Sequence, residues 1–399
     1  MTIQKFVNRQ AAGVFHIVSD AKRRLVQLGL SSFCALNGIL DFYMDNGSKR
    51  LRWSRWLAIY RIVHNFVVFS LTTRFLLDFW KQHEAEINNS LLMTMNFFPY
   101  FTLVFLAIIS SMGCCFYWQN RIFVVLQKLR HQREQSRQLG YRVPKGKQLY
   151  VDCLMFLITV LLILRLSIHV TVWLISVRVG FNHPCNCFLP ECMTFAMNYL
   201  VFATLAEISQ CWWRLQSGLE MILLDHPKPR TVANQLCHIQ RLHSMFQCLI
   251  DVTSEVCSIF KFVLLTYLIR NLWSGIVTGY MVIRLVLGKG HGDVELSYIV
   301  LAFIICIQPL MFSILMNSMT HTTDSLLDVT KDILRTPHKQ SAQVERSIEW
   351  LSLQLAGQHT YIAVFGTFRM NRSLLFTSTS VILIHVLYMV QSDYISMTM

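Results

Sequence analysis

The sequence predicts an all-α membrane protein with seven transmembrane helices, a cytosolic N-terminus, an extracellular C-terminus and cytosolic helical extensions that form an anchor. Three observations lead to this fold class. Of the 399 residues, 54% are apolar and only 15% are charged, whereas soluble domains usually carry about 25% charged residues. Apolar runs of membrane-spanning length recur along the chain. Basic residues gather in every second segment between those runs, which is how membrane orientation is encoded.

Seven apolar runs are long enough to cross the hydrocarbon layer of a bilayer, which takes about 20 residues of helix. They are residues 56–80, 92–118, 150–176, 191–213, 258–283, 296–317 and 373–392. A weaker apolar run at 25–43 is interrupted by Asn37, Gly38 and Asp41. We expect this run to lie at the inner membrane face or to dip into it, and not to form an eighth span.

The basic residues predict that the N-terminus is inside. The four inner segments hold 9, 8, 4 and 5 Lys or Arg residues, at 1–55, 119–148, 214–257 and 318–371. Each of the three outer loops holds one, at 81–91, 177–190 and 285–296. Cytosolic loops carry the excess of basic residues. After seven spans the C-terminus is therefore expected outside.

The membrane boundaries divide the chain into parts. They are a cytosolic segment with an interfacial helix at 1–55, transmembrane helices one to four at 56–213, a cytosolic helical extension at 214–257, helices five and six at 258–317, cytosolic anchor helices at 318–371, helix seven at 372–393 and an extracellular tail at 394–399. Apolar stripes at helical spacing occur in 235–257 and 343–356. These helices either extend the spans into the cytosol or also pack together as an anchor, and packing is favoured because apolar stripes in water need partners.

The last span carries polar side chains although it crosses the membrane. Counting back from its end by three or four residues gives one stripe, made of Gln391, Tyr388, Ile384, Ser380 and Thr377. Such groups can bond one helix to another within a bundle. They can also line a pore, where polar groups replace part of the hydration shell of an ion.

Residues 365–393 carry a recognisable pattern. A Gly-x-Phe element is followed by a Leu pair, and five apolar residues precede a Gln; the matching positions are Gly366, Phe368, Leu374, Leu375, Val386 to Val390 and Gln391. This pattern resembles the final segment of the insect gustatory receptor family. The chain departs from the family motif where Ile384-His385 replaces Thr-Tyr and Ser392 replaces Phe.

The resemblance implies a ligand-gated, non-selective cation channel of four subunits, in which the last span of each subunit lines one central pore. It therefore favours a pore-lining role for the stripe. It also implies a homotetramer, or a heterotetramer with related receptors, in the lipid of the plasma membrane of a sensory neuron dendrite. A small-molecule tastant would be the ligand. Because nothing resembles the sugar or carbon-dioxide subgroups, bitter compounds or contact cues are the default.

The resemblance further implies a ligand pocket among spans two to six that opens to the outside. The candidate ligand-binding residues are Arg165, His169, Asn198, Trp273 and Tyr280. Arg165 lies mid-span, as does Arg270. A charge at that depth costs about 2.5–3.5 kcal/mol on insertion scales, so partners are expected. Each arginine either faces a water-filled pocket or pairs with Glu207 or with carbonyls.

The predicted outer loops contain candidate modification sites. Cys185, Cys187 and Cys192 lie close together in the sequence, and an outer location favours a disulfide from Cys192 to one of the other two. Unpaired thiols and a metal site with His183 are the alternatives. Of the three Asn-x-Ser sequons, only the one at Asn88 is expected to face the lumen during synthesis, where it would be glycosylated.

The sequence gives little support to other classes of function. No HExxH, GxSxG or phosphate-loop motif occurs, so no enzyme, catalytic residue, metal or cofactor is predicted. The net charge of +14 follows the membrane boundaries, which argues against a nucleic-acid partner. A G-protein-coupled receptor would keep its N-terminus outside, and the Asp-Arg-Tyr and Asn-Pro-x-x-Tyr motifs are missing. A metabotropic seven-span receptor that signals through a soluble partner remains the alternative.

Overall fold

The computed structural model describes residues 29, 31–44, 51–89, 91–178, 183–224, 232–286, 292–335, 341–357, 363–364, 368–369 and 372–398. Most of these residues lie in long helices. The helices are α1 (Arg55–Asn89), α2 (Leu91–Tyr117), α3 (Gln119–Gln138), α4 (Lys145–Arg178), α5 (His183–Leu224), α6 (Val232–Val286), α7 (Gly292–Arg335), α8 (Ala342–Gly357) and α9 (Arg372–Thr398). Two short antiparallel hairpins pair β1 (Phe42–Met44) with β2 (Leu51–Trp53) and β3 (Ala363–Val364) with β4 (Phe368–Arg369).

The predicted all-α class is confirmed, and each of the seven predicted spans falls within one long helix, apart from Trp118, the last residue of the second span, which lies just past α2. Several helices are far longer than a bilayer requires. At 1.5 Å per residue, the 55 residues of α6 extend about 80 Å, against a hydrocarbon thickness of about 30 Å. The described residues of the helical extension predicted at 214–257, which are 214–224 and 232–257, therefore belong to α5 and α6.

Length and composition alone also indicate which helices could cross a membrane. Among the described residues, two helical segments are long and apolar enough to do so, Lys145–Leu164 and Leu189–Met221. A third span is reached if Thr102–Tyr117 and Gln119–Gln138, which meet at a bend of 74°, are counted as one broken helix. The count of seven spans and the orientation of the termini stay predictions.

Helix α5 forms the centre of the molecule. Its side chains are buried on nearly every side, and Met193, Met197, Trp212 and Trp213 are among the fully buried ones. A helix that is apolar all round is an interior helix. Helices α1, α4, α6 and α7 contact it, and the indole N–H of Trp213 donates a hydrogen bond to Thr322 on α7.

The N-terminal segment is packed on this bundle. After a helical stretch at 31–36, Gly38 adopts a left-handed φ of 63° and the chain turns into β1. A side chain at Gly38 would meet His64 Nδ1 at 2.9 Å, so glycine is required both for conformation and for space. Cys34 Sγ lies 3.6 Å from the Ala196 carbonyl of α5. Residues 31–43 of the segment predicted to lie at the inner membrane face are thus largely covered by protein.

The predicted cytosolic helices have partners within the same chain. Phe246 and Leu249 of α6 are buried, as are Ile348 and Leu351 of α8, and α8 contacts both α6 and α7. Gln247 Nε2 donates to Gln354 Oε1 at 3.2 Å. The two apolar stripes therefore pack within one subunit, whereas an anchor between subunits stays a prediction.

Candidate functional site

Helix α9 has a buried face that packs on α6. Val386 and Met389 form one apolar cluster with Ile276 and Tyr280 of α6. The two helices approach closely at Gly279, because a Cβ added there would lie 2.8 Å from Val386 Cγ2. The absence of a side chain at this position is thus what allows the last helix to dock.

The opposite face of α9 is exposed in the single subunit. Every residue of the predicted pore-lining stripe lies on it, and the exposed fractions of Ile384 and Tyr388 are 64% and 70%. At 100° per residue, Gln391 is about 160° round the helix from Met389. The stripe is therefore the side of α9 that its own subunit leaves uncovered.

The hydroxyl groups on this face bond to their own helix. Thr377 Oγ1 donates to the Ser373 carbonyl and Ser380 Oγ donates to the Phe376 carbonyl, each at 3.0 Å. A hydroxyl that donates its only proton keeps oxygen lone pairs as acceptors. These oxygens can accept contacts from a cation or from water, and the described hydrogen bonds do not tie them to a second helix.

Apolar side chains flank the stripe on its exposed face. Leu383 and Leu387 are more than half exposed, as is Phe376. The uncovered arc of α9 is therefore wider than the stripe. In a central pore, one part of such an arc would face the axis, and the rest would contact neighbouring subunits.

Arg270 of α6, predicted to lie mid-span, is buried in an ion pair. Its guanidinium binds the carboxylate of Glu191 on α5, and Nη1 lies 3.5 Å from Thr194 Oγ1. Glu207, one of the partners considered from the sequence, is not the partner of Arg270. The sequence interpretation missed Glu191 because it placed that residue at the boundary of an outer loop, whereas it lies inside α5.

The predicted ligand-binding residues fall into three groups. Tyr280 is a buried member of the apolar cluster that joins α6 to α9, and Trp273 is partly buried against that cluster. Asn198 is half-buried on α5. Arg165 and His169 belong to α4, but their side chains lie outside the described residues. The structure thus brings Trp273 and Tyr280 together with the last helix, and a ligand-binding role for all five stays a prediction.

In the middle of α5, Glu207 lies between two arginines. Its Oε1 is 3.6 Å from Arg133 of α3 and 3.9 Å from Arg214 of α5 itself. All three side chains are largely buried. The Glu207 carboxylate therefore links α5 to α3 through Arg133.

A second polar cluster, which the sequence interpretation missed, connects the N-terminal segment to α1 and α3. Asp41 Oδ2 lies 3.0 Å from Arg61 Nη1, and Gln119 Nε2 donates to Asp41 Oδ1 at 2.7 Å. Arg61 also donates to the Cys115 carbonyl at 3.0 Å. The sequence did offer a signal for this pair: Asp41 is an acidic residue in the apolar run 25–43, and Arg61 is a basic residue early in the next run.

The predicted modification sites lie in helices. Cys185, Cys187 and Cys192 all belong to α5, and not to a loop as expected. Helical rise separates Cys187 from Cys192 by about 7.5 Å, whereas Cα atoms joined by a disulfide are at most about 7 Å apart. The helical backbone is thus unfavourable to the predicted pairing, which stays untested. Asn88 is near the end of α1, and its side chain lies outside the described residues.

Comparisons with known proteins cover nearly the whole chain. The family model described as 7tm chemosensory receptor matches residues 28–396. A Drosophila melanogaster protein named "Putative gustatory receptor 85a" is 61% identical over 394 residues, which is 99% of this chain and 97% of the relative.

Two solved structures share the fold. The insect olfactory receptor OR5 from Machilis hrabei in complex with eugenol aligns with a TM-score of 0.61 at 12% identity, over 93% of this chain and 98% of that chain. A second solved structure of the same receptor aligns with a TM-score of 0.58 at 14% identity, over 95% of this chain and 99% of that chain. At such identities the likeness concerns the fold alone.

Proposed function

The chain belongs to the insect gustatory receptor family of 7tm chemosensory receptors, and we propose that it is a ligand-gated, non-selective cation channel. The family is one of membrane receptors and not of enzymes. The proposal assigns the pore to α9, the ligand pocket to the helices around α5, and the ligand to bitter compounds or contact cues.

One observation carries the proposal: the polar stripe of α9 lies on the face that the subunit leaves uncovered. An interior helix of a monomeric bundle would turn its polar groups inward to find partners. Here Val386 and Met389 face inward instead, and Gln391 and Ser380 are exposed. Four such helices around one axis would enclose a polar path.

The chemistry of that path suits weak selection among cations. Hydroxyl oxygens at Thr377 and Ser380 and the amide oxygen at Gln391 would replace part of the hydration shell of an ion. From Thr377 to Gln391 the stripe contains no charged residue that would impose sharp selectivity. A ring of Ile384 side chains would close the pore by excluding water.

Ligand binding would reach the pore through α6. Trp273 and Tyr280 lie on the side of α6 that packs against α9, and Arg270 on the same helix is held to Glu191 of α5. A small amphiphilic molecule that wedges between α5 and α6 would move both contacts. Eugenol is the ligand named for the related olfactory receptor, and aromatic compounds of that size are the first to test.

The channel would assemble as a homotetramer, or as a heterotetramer with related receptors. Helices α6 and α7 are far longer than a bilayer requires, and α8 packs on both; the outer surface of this helical group would form the anchor between subunits. The assembly would reside in the plasma membrane of a sensory neuron dendrite.

Recording with G-protein signalling blocked separates this function from the metabotropic alternative. The full chain is expressed in cells, and a calcium-imaging screen of bitter and aromatic compounds identifies an agonist. Whole-cell currents evoked by that agonist are then recorded with GDP-β-S in the pipette. A channel gives unchanged currents that begin without a signalling delay. Loss of the current, while a co-expressed ligand-gated channel still responds, would support the metabotropic alternative.

A further inference from the structure

Helix α3 meets the preceding helix at a sharp angle. Helix α2 ends at Tyr117 and α3 begins at Gln119, and the segments Thr102–Tyr117 and Gln119–Gln138 meet at a bend of 74°. Helix α2 contains the second predicted span. A helix at this angle to a spanning helix runs close to the plane of the membrane, so the bend directs α3 along the inner membrane surface.

Contacts at the two ends of α3 support the same placement. Near its start, Arg121 Nε lies 2.5 Å from Glu255 Oε1 of α6, three residues before the predicted fifth span. Just past its end, the buried ring of Tyr141 packs on Gly218 of α5, five residues beyond the predicted fourth span. At 1.5 Å per residue, both ends lie about 4–8 Å below the predicted inner boundary. Since the 20 residues of α3 extend about 30 Å, the helix runs along that boundary.

One face of α3 is packed on the bundle. Its buried apolar residues recur at helical spacing and are Ile122, Val125 and Leu129. The helix contacts both α5 and α6, and the pair of Arg133 with Glu207, 3.6 Å apart, joins it to α5. These contacts leave the opposite face of α3 to its surroundings.

The exposed surface of α3 and of the turn that follows it is positively charged. Lys128 is exposed on α3, Arg142 is exposed in the turn, and Lys145 is exposed at the start of α4. Glu134 is the one acidic residue of α3, and its carboxylate is paired with a basic residue one turn earlier. All other ionised side chains of residues 119–145 are basic.

The depth of this surface selects its partner. A bilayer is about 40–45 Å thick with its headgroups and about 30 Å thick without them, so each headgroup layer spans roughly 5–8 Å. The ends of α3 lie at that depth, and side chains that point away from the bundle there meet lipid headgroups. Basic clusters next to a membrane span attract the anionic lipids of the cytosolic leaflet. Phosphate and carboxylate groups are the acceptors that Lys and Arg bind most strongly.

We propose that residues 119–145 form an in-plane surface that binds anionic phospholipids of the inner leaflet, of the phosphatidylserine type. Lys128, Arg142 and Lys145 contact the headgroups, while the buried face of α3 stays on α5 and α6. Because ion pairs tie α3 to both of these long helices, bound lipid would stabilise the arrangement of all three. This surface depends on the membrane boundaries predicted above, and not on the pore proposed for α9.

Lysine acetylation measures the contact directly. The full chain is reconstituted in nanodiscs of phosphatidylcholine, with or without phosphatidylserine, and treated with an uncharged acetylating reagent. Peptide mass spectrometry gives the extent of reaction at each lysine. Phosphatidylserine should slow the acetylation of Lys128 and Lys145 about fivefold, the factor that one basic residue contributes near an anionic surface. Salt at about 1 M should restore the rate, because it shortens the screening length to about 3 Å.

Lys331 is the internal control. It is exposed on α7, 14 residues past residue 317, the predicted end of the sixth span. That distance is about 21 Å, which exceeds the screening length of about 8 Å at physiological ionic strength, so its acetylation should be the same in both nanodiscs. Equal rates for Lys128 and Lys145 in the two nanodiscs would overturn the proposal. So would a slowing that includes Lys331, because it would show a general effect of the charged lipid.

Charge-removing variants test whether the contact stabilises the protein. Two triple variants are compared with wild type, one at the proposed contacts (Lys128→Gln, Arg142→Gln, Lys145→Gln) and one at exposed basic residues of α7 and α8 (Lys331→Gln, Arg335→Gln, Arg346→Gln). Phosphatidylserine added to neutral micelles should raise the unfolding temperature of wild type, because it binds the native state. The first variant should lose most of that rise and the second should keep it. An equal rise in all three proteins would contradict the proposal. No current is recorded, so this result is independent of the channel function.

Discussion

Asp41 shows how one buried side chain can hold three parts of the chain together. Asp41 belongs to the N-terminal segment. It forms an ion pair with Arg61 of α1 and accepts a hydrogen bond from Gln119 of α3. Only 5% of its side chain is exposed. Removal of one member of a buried ion pair leaves the other charge without compensation, which costs more than the pair itself contributes.

We predict that Asp41→Asn destabilises the protein by about 3 kcal/mol, because it leaves the Arg61 guanidinium buried beside a neutral group. Thermal unfolding in detergent should therefore begin at a clearly lower temperature. The matched control is Glu134→Gln, which breaks the more exposed Arg130 contact on α3 and should cost about 0.5 kcal/mol or less. Similar shifts for the two variants would contradict a structural role for Asp41.

Burial also determines the reactivity of Cys34. Its thiol is fully buried against α5, and burial raises the pKa of this thiol well above its usual range. Because the thiolate is the reactive form, we predict that N-ethylmaleimide at pH 8 leaves Cys34 unmodified in the native protein. Cys237, which is exposed on α6, should react, and both should react after unfolding in SDS. Peptide mass spectrometry gives the two extents, and equal native labelling would argue against the packed N-terminal segment.

Residue types could be predicted from the sequence, but residue pairs could not. The sequence identified Arg270 as an intramembrane charge in need of a partner, yet the partner is Glu191 and not Glu207. Which side chains meet depends on the axial register of two helices, and neither periodicity nor hydropathy contains that register. The Asp41 cluster escaped notice for the same reason, because its three members lie in three different elements.

At the scale of elements, the lengths of the apolar runs predicted the helices well. All seven runs fall inside helices to within one residue, because a run of about 20 apolar residues has few alternatives in a membrane. The ends were predicted less well. The segment 177–190 was expected as a loop, but α5 already begins at His183 and passes through Pro190. The 74° bend between α2 and α3 has no Gly or Pro at its corner, so residue type did not signal it.

The close contact of α6 and α9 at Gly279 gives a prediction at this scale. Gly279→Ala adds a Cβ 2.8 Å from Val386 Cγ2, and such overpacking costs about 1–3 kcal/mol. We expect faster hydrogen–deuterium exchange in peptides of α9, since the helix loses its fit on α6. The double variant Gly279→Ala with Val386→Ala should restore slower exchange, because it removes the methyl groups that collide.

Gly146→Ala is the control for this experiment. A Cβ at Gly146 would meet no atom within 4 Å, so exchange in α9 should stay as in wild type. If Gly279→Ala behaves in the same way as Gly146→Ala, the close approach of α6 and α9 is not what holds the last helix.

For the whole molecule, the asymmetry of basic residues predicts the orientation in the membrane. With the N-terminus inside, only Asn88 of the three sequons faces the lumen, whereas Asn46 and Asn371 face the cytosol. Treatment with a glycosidase, followed by peptide mapping, should therefore find glycan on Asn88 alone or on none. Glycan on Asn46 or Asn371 would show that the orientation is the reverse of the predicted one. The C-terminus would then lie in the cytosol, as in a metabotropic receptor.

The permeability of Gln391 variants tests the central claim most directly, because that claim places the exposed stripe of α9 at the axis of a tetrameric pore. We predict that Gln391→Glu raises, and Gln391→Ala lowers, the permeability of calcium relative to sodium, because the side chain meets the ion directly. His385→Gln, about 120° away round the same helix, should leave the ratio unchanged. Reversal potentials are measured in bi-ionic solutions at matched surface expression, with tetramers verified by cross-linking. Unchanged ratios in both Gln391 variants would remove this residue from the pore and return the polar stripe to a role in helix packing.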